Sequence, residues 1–201
     1  MTRTKPIWWL ISILLTSIGW VAASAIFIAI FEFPRWVNIN TGIIYLIFMW
    51  FVPGAIGGLI TVTAMRIVIP GIQWKQALFV IIGWAIALAI GRLTNLFTSF
   101  YPIWWFGFPL RWFSIGAIGG LITVTAMRKV IPGIQWKQAL FVTIGWIIGW
   151  VIGGAIIVAT IGRNIGGIAG FVIGYGIGWT IAGAIGGGVM FLMLHRAKQS
   201  A

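Results

Sequence analysis

The segment GAIGGLITVTAMRIVIPGIQWKQALFVIIGW, Gly54 to Trp84, returns as Gly116 to Trp146 after an offset of 62 residues, with only two changes: Ile67 to Lys129 and Ile81 to Thr143. Each copy carries the end of one apolar run, an Ile-Pro-Gly turn and the start of the next run. The repeating object is therefore a helical hairpin, and tandem hairpins pack against one another. The uncharged runs Ile7 to Phe31, Trp36 to Met65, Ala139 to Gly162 and Ile165 to Leu194 each exceed the roughly 20 residues a helix needs to cross about 30 Å of hydrocarbon. Two shorter runs, Ala77 to Gly91 and Trp112 to Met127, are bounded by Arg92 and Arg111. With 61% hydrophobic residues, 7% charged residues and a mean hydropathy of +1.11, the chain belongs in a bilayer. The pattern predicts an all-α polytopic transmembrane bundle of six helices. They form three tandem two-helix repeats, 7–66, 76–129 and 138–196, within one membrane domain covering 1–201.

The third repeat is decayed but readable. Gly183-Ala-Ile-Gly-Gly187 echoes Gly54-Ala-Ile-Gly-Gly58 and Gly116-Ala-Ile-Gly-Gly120, and Ile18-Gly19-Trp20 echoes the Ile-Gly-Trp at Trp84 and Trp146. Odd helices carry Ile-Gly-Trp and even helices carry Gly-Ala-Ile-Gly-Gly, an arrangement compatible with pseudo-threefold symmetry about the membrane normal.

Small residues recur at every fourth position. The fifth helix has Gly145, Gly149 and Gly153, and the third has Gly83, Ala87 and Gly91. The sixth has Gly166, Gly170, Gly174, Gly178, Ala182 and Gly186. In lipid no hydrophobic gain draws helices together, so close backbone approach must do it, and such rows clear the necessary groove. These positions, with Gly54, Gly58, Gly116 and Gly120, are the expected glycine-zipper packing sites. Trp20, Trp84 and Trp146 lie too deep for an interfacial belt. They are expected in the core, each indole covering a neighbour's glycine groove.

Thirteen Lys and Arg oppose one acid, Glu32. The cations cluster at helix ends, which points to anionic lipid headgroups rather than nucleic acid. Six helices place nine cations on the side of the termini and four (Arg35, Arg92, Arg111 and Arg163) on the other. Both termini are thus expected in the cytoplasm, in a cell inner (plasma) membrane, or a thylakoid membrane if the source is cyanobacterial. Small residues at Ala22-Ala23-Ser24-Ala25 mimic a cleavage site, but the apolar run continues to Phe31, so the first helix is expected to stay uncleaved. Phe33-Pro34-Arg35 should end it, Asn40 or Thr41 should cap the second helix, and Pro53 should kink that helix.

Nothing in the sequence composes a reaction. There is no cysteine, His195 is the only histidine, and a single acid excludes paired carboxylates. Neither cofactor nor metal is expected, and Glu32 should form an interfacial pair with an outer arginine. Arg92 and Arg111 are unusual in lying within the outer part of the hydrocarbon layer, where an unpaired charge is costly. Snorkelling to the headgroups is the simpler expectation. The sharper one joins them with Arg163 in an anion or acidic-lipid site between the third, fourth and fifth helices. The function expected is a non-enzymatic membrane subunit acting through helix packing, either self-assembling or joined to a membrane protein partner; the alternative is a small anion- or lipid-binding transporter or channel.

With its glycine ladders and its Ile-Gly-Trp and Gly-Ala-Ile-Gly-Gly units, the chain resembles uncharacterised glycine-rich multi-pass membrane proteins of cyanobacterial type, a resemblance that implies no activity. The charge count generates a topological prediction. Cysteines introduced at Ser200 and Asn164 should label from opposite faces of sealed cells, and labelling from one face would contradict six crossings.

Overall fold

The computed structural model describes residues 7–37, 43–68, 71–99, 104–131, 134–162 and 167–199. They form six helices: α1 Ile7–Val37, α2 Ile43–Val68, α3 Trp74–Ser99, α4 Trp104–Val130, α5 Trp136–Gly162 and α6 Gly167–Gln199. Each packs on the helices before and after it in sequence, and α1 also packs on α6, so the bundle closes into a ring. Five helices contain segments long and apolar enough to cross a membrane, while the corresponding described stretch of α1 is Ile13–Ala29. Among the described side chains, their outward faces carry exposed Leu, Ile, Val and Phe. The chain is an integral, multi-pass membrane protein, with the helix starts of α1, α3 and α5 at the end that holds the termini and those of α2, α4 and α6 at the distal end.

Local chemistry explains the ends near the termini. Before α3 the backbone N–H of Gln73 donates to Gln76 Oε1 at 2.7 Å, and before α5 Gln135 N–H donates to Gln138 Oε1 at 3.0 Å. In both, a glutamine reaches back to satisfy an N–H that the helix leaves open. Arg66 lies over the Trp74 ring at 4.9 Å, and Arg128 over Trp136 at 4.0 Å. The two hairpin turns are thus clamped alike by a cation on one helix and an indole on the next. Ile69, Pro70, Pro132 and Gly133 of the turns fall outside the described residues, as do Asn40, Thr41, Arg163, Asn164 and Gly166. So do the side chains of Glu32, Arg35 and His195.

Two expectations about proline need correction or refinement. α1 does not stop at Phe33-Pro34 but runs to Val37, because a proline near the end of a helix removes one donor without disturbing the bonds that follow it. α2 is a single helix through Pro53, and α4 also contains a proline, Pro109, that the repeat does not share.

The glycines set the distance between neighbours. A Cβ on Gly54 would fall 2.6 Å from the Trp84 carbonyl oxygen, and one on Gly116 would fall 2.7 Å from that of Trp146. Gly58 and Gly120 face the backbone of Ile81 and Thr143 at 2.8 and 3.0 Å. On the other flank of α2 and α4, and likewise on α6, a Cβ on Gly57 would enter the Trp20 ring, one on Gly119 the Trp84 ring and one on Gly186 the Trp146 ring. Gly19, Gly83 and Gly145 receive Ile60, Ile122 and Val189, again at corresponding places. Between α5 and α6, a Cβ on Gly178 would lie 2.5 Å from the Gly153 carbonyl oxygen, and one on Gly149 2.8 Å from that of Ala182. Gly174 is looser, 3.3 Å from Thr160 Cβ.

Gly176 supplies an internal contrast, since nothing lies within 4 Å of a Cβ built there. Gly178→Leu should therefore abolish the folded monomer or lower its melting temperature steeply, whereas Gly176→Leu should melt within a few degrees of the parent. Thermal unfolding in a neutral detergent checks this, and equal melting of the two variants would refute the packing scheme.

Candidate functional site

The centre of the ring is filled with indoles. Trp20, Trp84 and Trp146, one from each odd helix, are fully buried and meet edge to face, with centroids 4.9 Å apart for Trp20–Trp84, 4.6 Å for Trp84–Trp146 and 6.3 Å for Trp20–Trp146. Each covers a glycine of the following even helix, as the sequence leads one to expect. Trp84 Nε1 donates to Thr123 Oγ1 at 3.1 Å, and that hydroxyl donates in turn to the Gly119 carbonyl at 2.8 Å. The matching position in α6 is Met190, which offers no such acceptor, and Trp146 Nε1 has no partner.

A second set of tryptophans is not anticipated from the sequence reading above, although its signal is present. Trp50, Trp112 and Trp179 each stand four residues before a Gly-Ala-Ile-Gly-Gly unit. All three are buried. Trp150, one turn after Trp146, lies 5.0 Å from Trp20 and 5.7 Å from both Trp112 and Trp179, stacking almost flat on Trp112 at 9°. Phe27 and Tyr175 stack at 4.9 Å and extend the cluster towards the distal end.

Two arginines cap this aromatic column. Arg111 is only 5% exposed, so it does not snorkel to the headgroups. The guanidinium carbon lies 4.3 Å from the Trp50 ring centroid and 4.5 Å from that of Trp112, and the group hydrogen-bonds Tyr175. Arg92 reaches the same Trp50 ring at 5.8 Å and is close enough to act electrostatically on Arg111. Among the described residues, Arg111 Nε and Nη2, and Arg92 Nε, are buried without a hydrogen-bond partner. Arg92 of α3 and Arg111 of α4 thus come together, with contacts to Trp50 of α2, Trp112 of α4 and Tyr175 of α6; Arg163 is outside the described residues.

The chain matches no family model, no curated protein and no solved structure.

The arginines stand where the repeat is broken. By alignment of the units, Arg111 corresponds to Met49 and Gly178, and Arg92 to Ile28 and Gly154. The packing scheme therefore runs without a charge at these positions in the other two units. Elsewhere the intramembrane hydroxyls turn inward on their own helices: Thr61, Thr63, Thr123, Thr125 and Ser114 each donate to the carbonyl four residues earlier at 2.8 Å. Among the described residues no three metal-ligating side chains gather.

Stacking of Arg111 on Trp50 is testable by a double-mutant cycle. Trp50→Leu and Arg111→Met should show a coupling of about 1 kcal/mol in unfolding free energy, and additive effects would mean that the face-on contact contributes nothing.

Proposed function

We propose that this protein is a non-enzymatic membrane subunit: a self-contained helical body, built from three two-helix units by glycine-zipper packing, that works by contact with lipid and with other membrane proteins or further copies of itself. The observation that carries this reading is the filled centre. Trp20, Trp84, Trp146, Trp150 and Trp179 are each fully buried, and their edge-to-face contacts occupy the axis along which a conduit would have to run. The i−4 bonding of the threonines supports it further, because a permeation path needs hydroxyls that face the path. The apolar outer face is the surface left for partners. The Arg66–Trp74 and Arg128–Trp136 pairs suit anionic headgroups at the end that carries the termini, with the plasma membrane and cytoplasmic termini as the reading that the cation distribution favours.

Two measurements on the full-length protein test this. Reconstituted vesicles should leak potassium and chloride no faster than protein-free ones, and faster flux would reject the closed-body reading. Purification in a mild detergent should retain a second copy or another membrane protein in fixed ratio, and a chain that purifies alone as a folded monomer would reject the subunit role.

A further inference from the structure

We propose that the distal end of the bundle holds a buried oxyanion in the side-on fork of Arg111, with Arg92 beside it. The inference stands apart from the subunit role, because a bound anion requires no conduit.

Guanidinium chemistry makes the argument. Nε–H and the Nη2 amino group lie along one edge of the plane and point the same way, the pair that meets two oxygens of a carboxylate, phosphate or sulfate at once. In Arg111 those two donors are the ones without a partner among the described residues, while the group as a whole hydrogen-bonds Tyr175 and lies against the rings of Trp50 and Trp112. The guanidinium is therefore held by two aromatic rings and a phenol, with its recognition edge buried and unpartnered.

Charge points the same way. A cation this deeply buried is stable only when paired, and here a second, Arg92, shares the Trp50 ring and contributes a further buried, unpartnered Nε. The two repel each other. Aromatic faces relieve part of the cost through cation–π attraction, but they leave Arg111 Nε and Nη2 and Arg92 Nε unsatisfied. An oxyanion between the two groups removes the repulsion and fills the fork in one step. The positions are occupied by Met49, Gly178, Ile28 and Gly154 in the other units, so the arginines are not demanded by the packing.

The shared ligand chemistry is a tetrahedral or planar oxyanion, either a free inorganic ion or the phosphate of a lipid entering from the distal leaflet. The protein, purified in a neutral detergent and dialysed into chloride buffer, is melted against increasing inorganic phosphate or sulfate, and separately against phosphatidylglycerol, at constant ionic strength. Wild type should rise saturably in melting temperature. Stabilisation by phosphate assigns a free ion, and stabilisation by phosphatidylglycerol alone assigns a lipid phosphate. Arg111→Lys, which keeps the charge but not the fork, should weaken the midpoint at least about tenfold. Arg92→Gln should weaken it less, and Arg128→Gln at the other end should leave it unchanged. Should Arg111→Lys fail to fold, Arg92→Gln and Arg128→Gln carry the comparison. Wild type that responds to chloride and to the oxyanions alike overturns the proposal. So does an equal response in Arg92→Gln and Arg128→Gln, or an unweakened one in Arg111→Lys.

Discussion

Everything in this bundle depends on backbones coming closer than side chains normally allow. Inside a bilayer a leucine gains nothing by leaving lipid for protein, so helices associate through packing and hydrogen bonding alone. Glycine at Gly54, Gly58, Gly116 and Gly120 removes the Cβ atoms that would strike the next helix, and carbonyl oxygens of Trp84 and Trp146 then sit where those atoms would have been. The cost is helix propensity, about 1 kcal/mol for each glycine relative to alanine. What offsets it is the indole. The same short units that open one flank to a neighbouring backbone open the other to a tryptophan ring, so each glycine pair creates space and the Ile-Gly-Trp unit of an adjoining helix fills it.

The tryptophan centre has its own balance. Edge-to-face contacts add roughly 0.5–1.5 kcal/mol per pair beyond area burial, and the cluster contains many of them. Against that stand indole N–H groups at Trp20, Trp50, Trp146, Trp150 and Trp179 with no acceptor. Trp84 finds one in Thr123, where α6 has methionine; Thr61 holds the matching place in α2, yet Trp20 Nε1 is without a partner among the described residues. The cluster is thus selected by shape more than by hydrogen bonding. That suits a ring whose axis must be sealed with bulky, flat groups entering from several helices.

Much of this was legible in the sequence. Offset, apolar run length and turn residues predict six helices at close to their observed limits, and the depth of Trp20, Trp84 and Trp146 places them in the core. The even-helix tryptophans at Trp50, Trp112 and Trp179 were equally periodic, but they precede the identical stretch by four residues, and a reading that starts at Gly54 passes over them. Arg111 was harder. Its distance from the membrane edge is the same whether it turns out towards headgroups or in towards the axis. Rotation about the helix decides between them, and that is fixed by Trp50 on α2 and Tyr175 on α6, which sequence spacing does not bring together. The proline at Pro34 misled because its effect depends on how many turns follow it.

The asymmetry of the even helices has an architectural consequence. Each presents one glycine flank backwards, to the indole of the odd helix before it, and another forwards, to the backbone of the odd helix after it. A single hairpin therefore satisfies its backward flank internally and leaves the forward one open for the next hairpin. Such a head-to-tail interface repeats until rotation brings the last unit onto the first, which here happens at α6 and α1. Because the three hairpins lie in one polypeptide they need not be identical, and the two arginines that share Trp50 are a departure that strict threefold symmetry would forbid, since it would place six such charges around one axis.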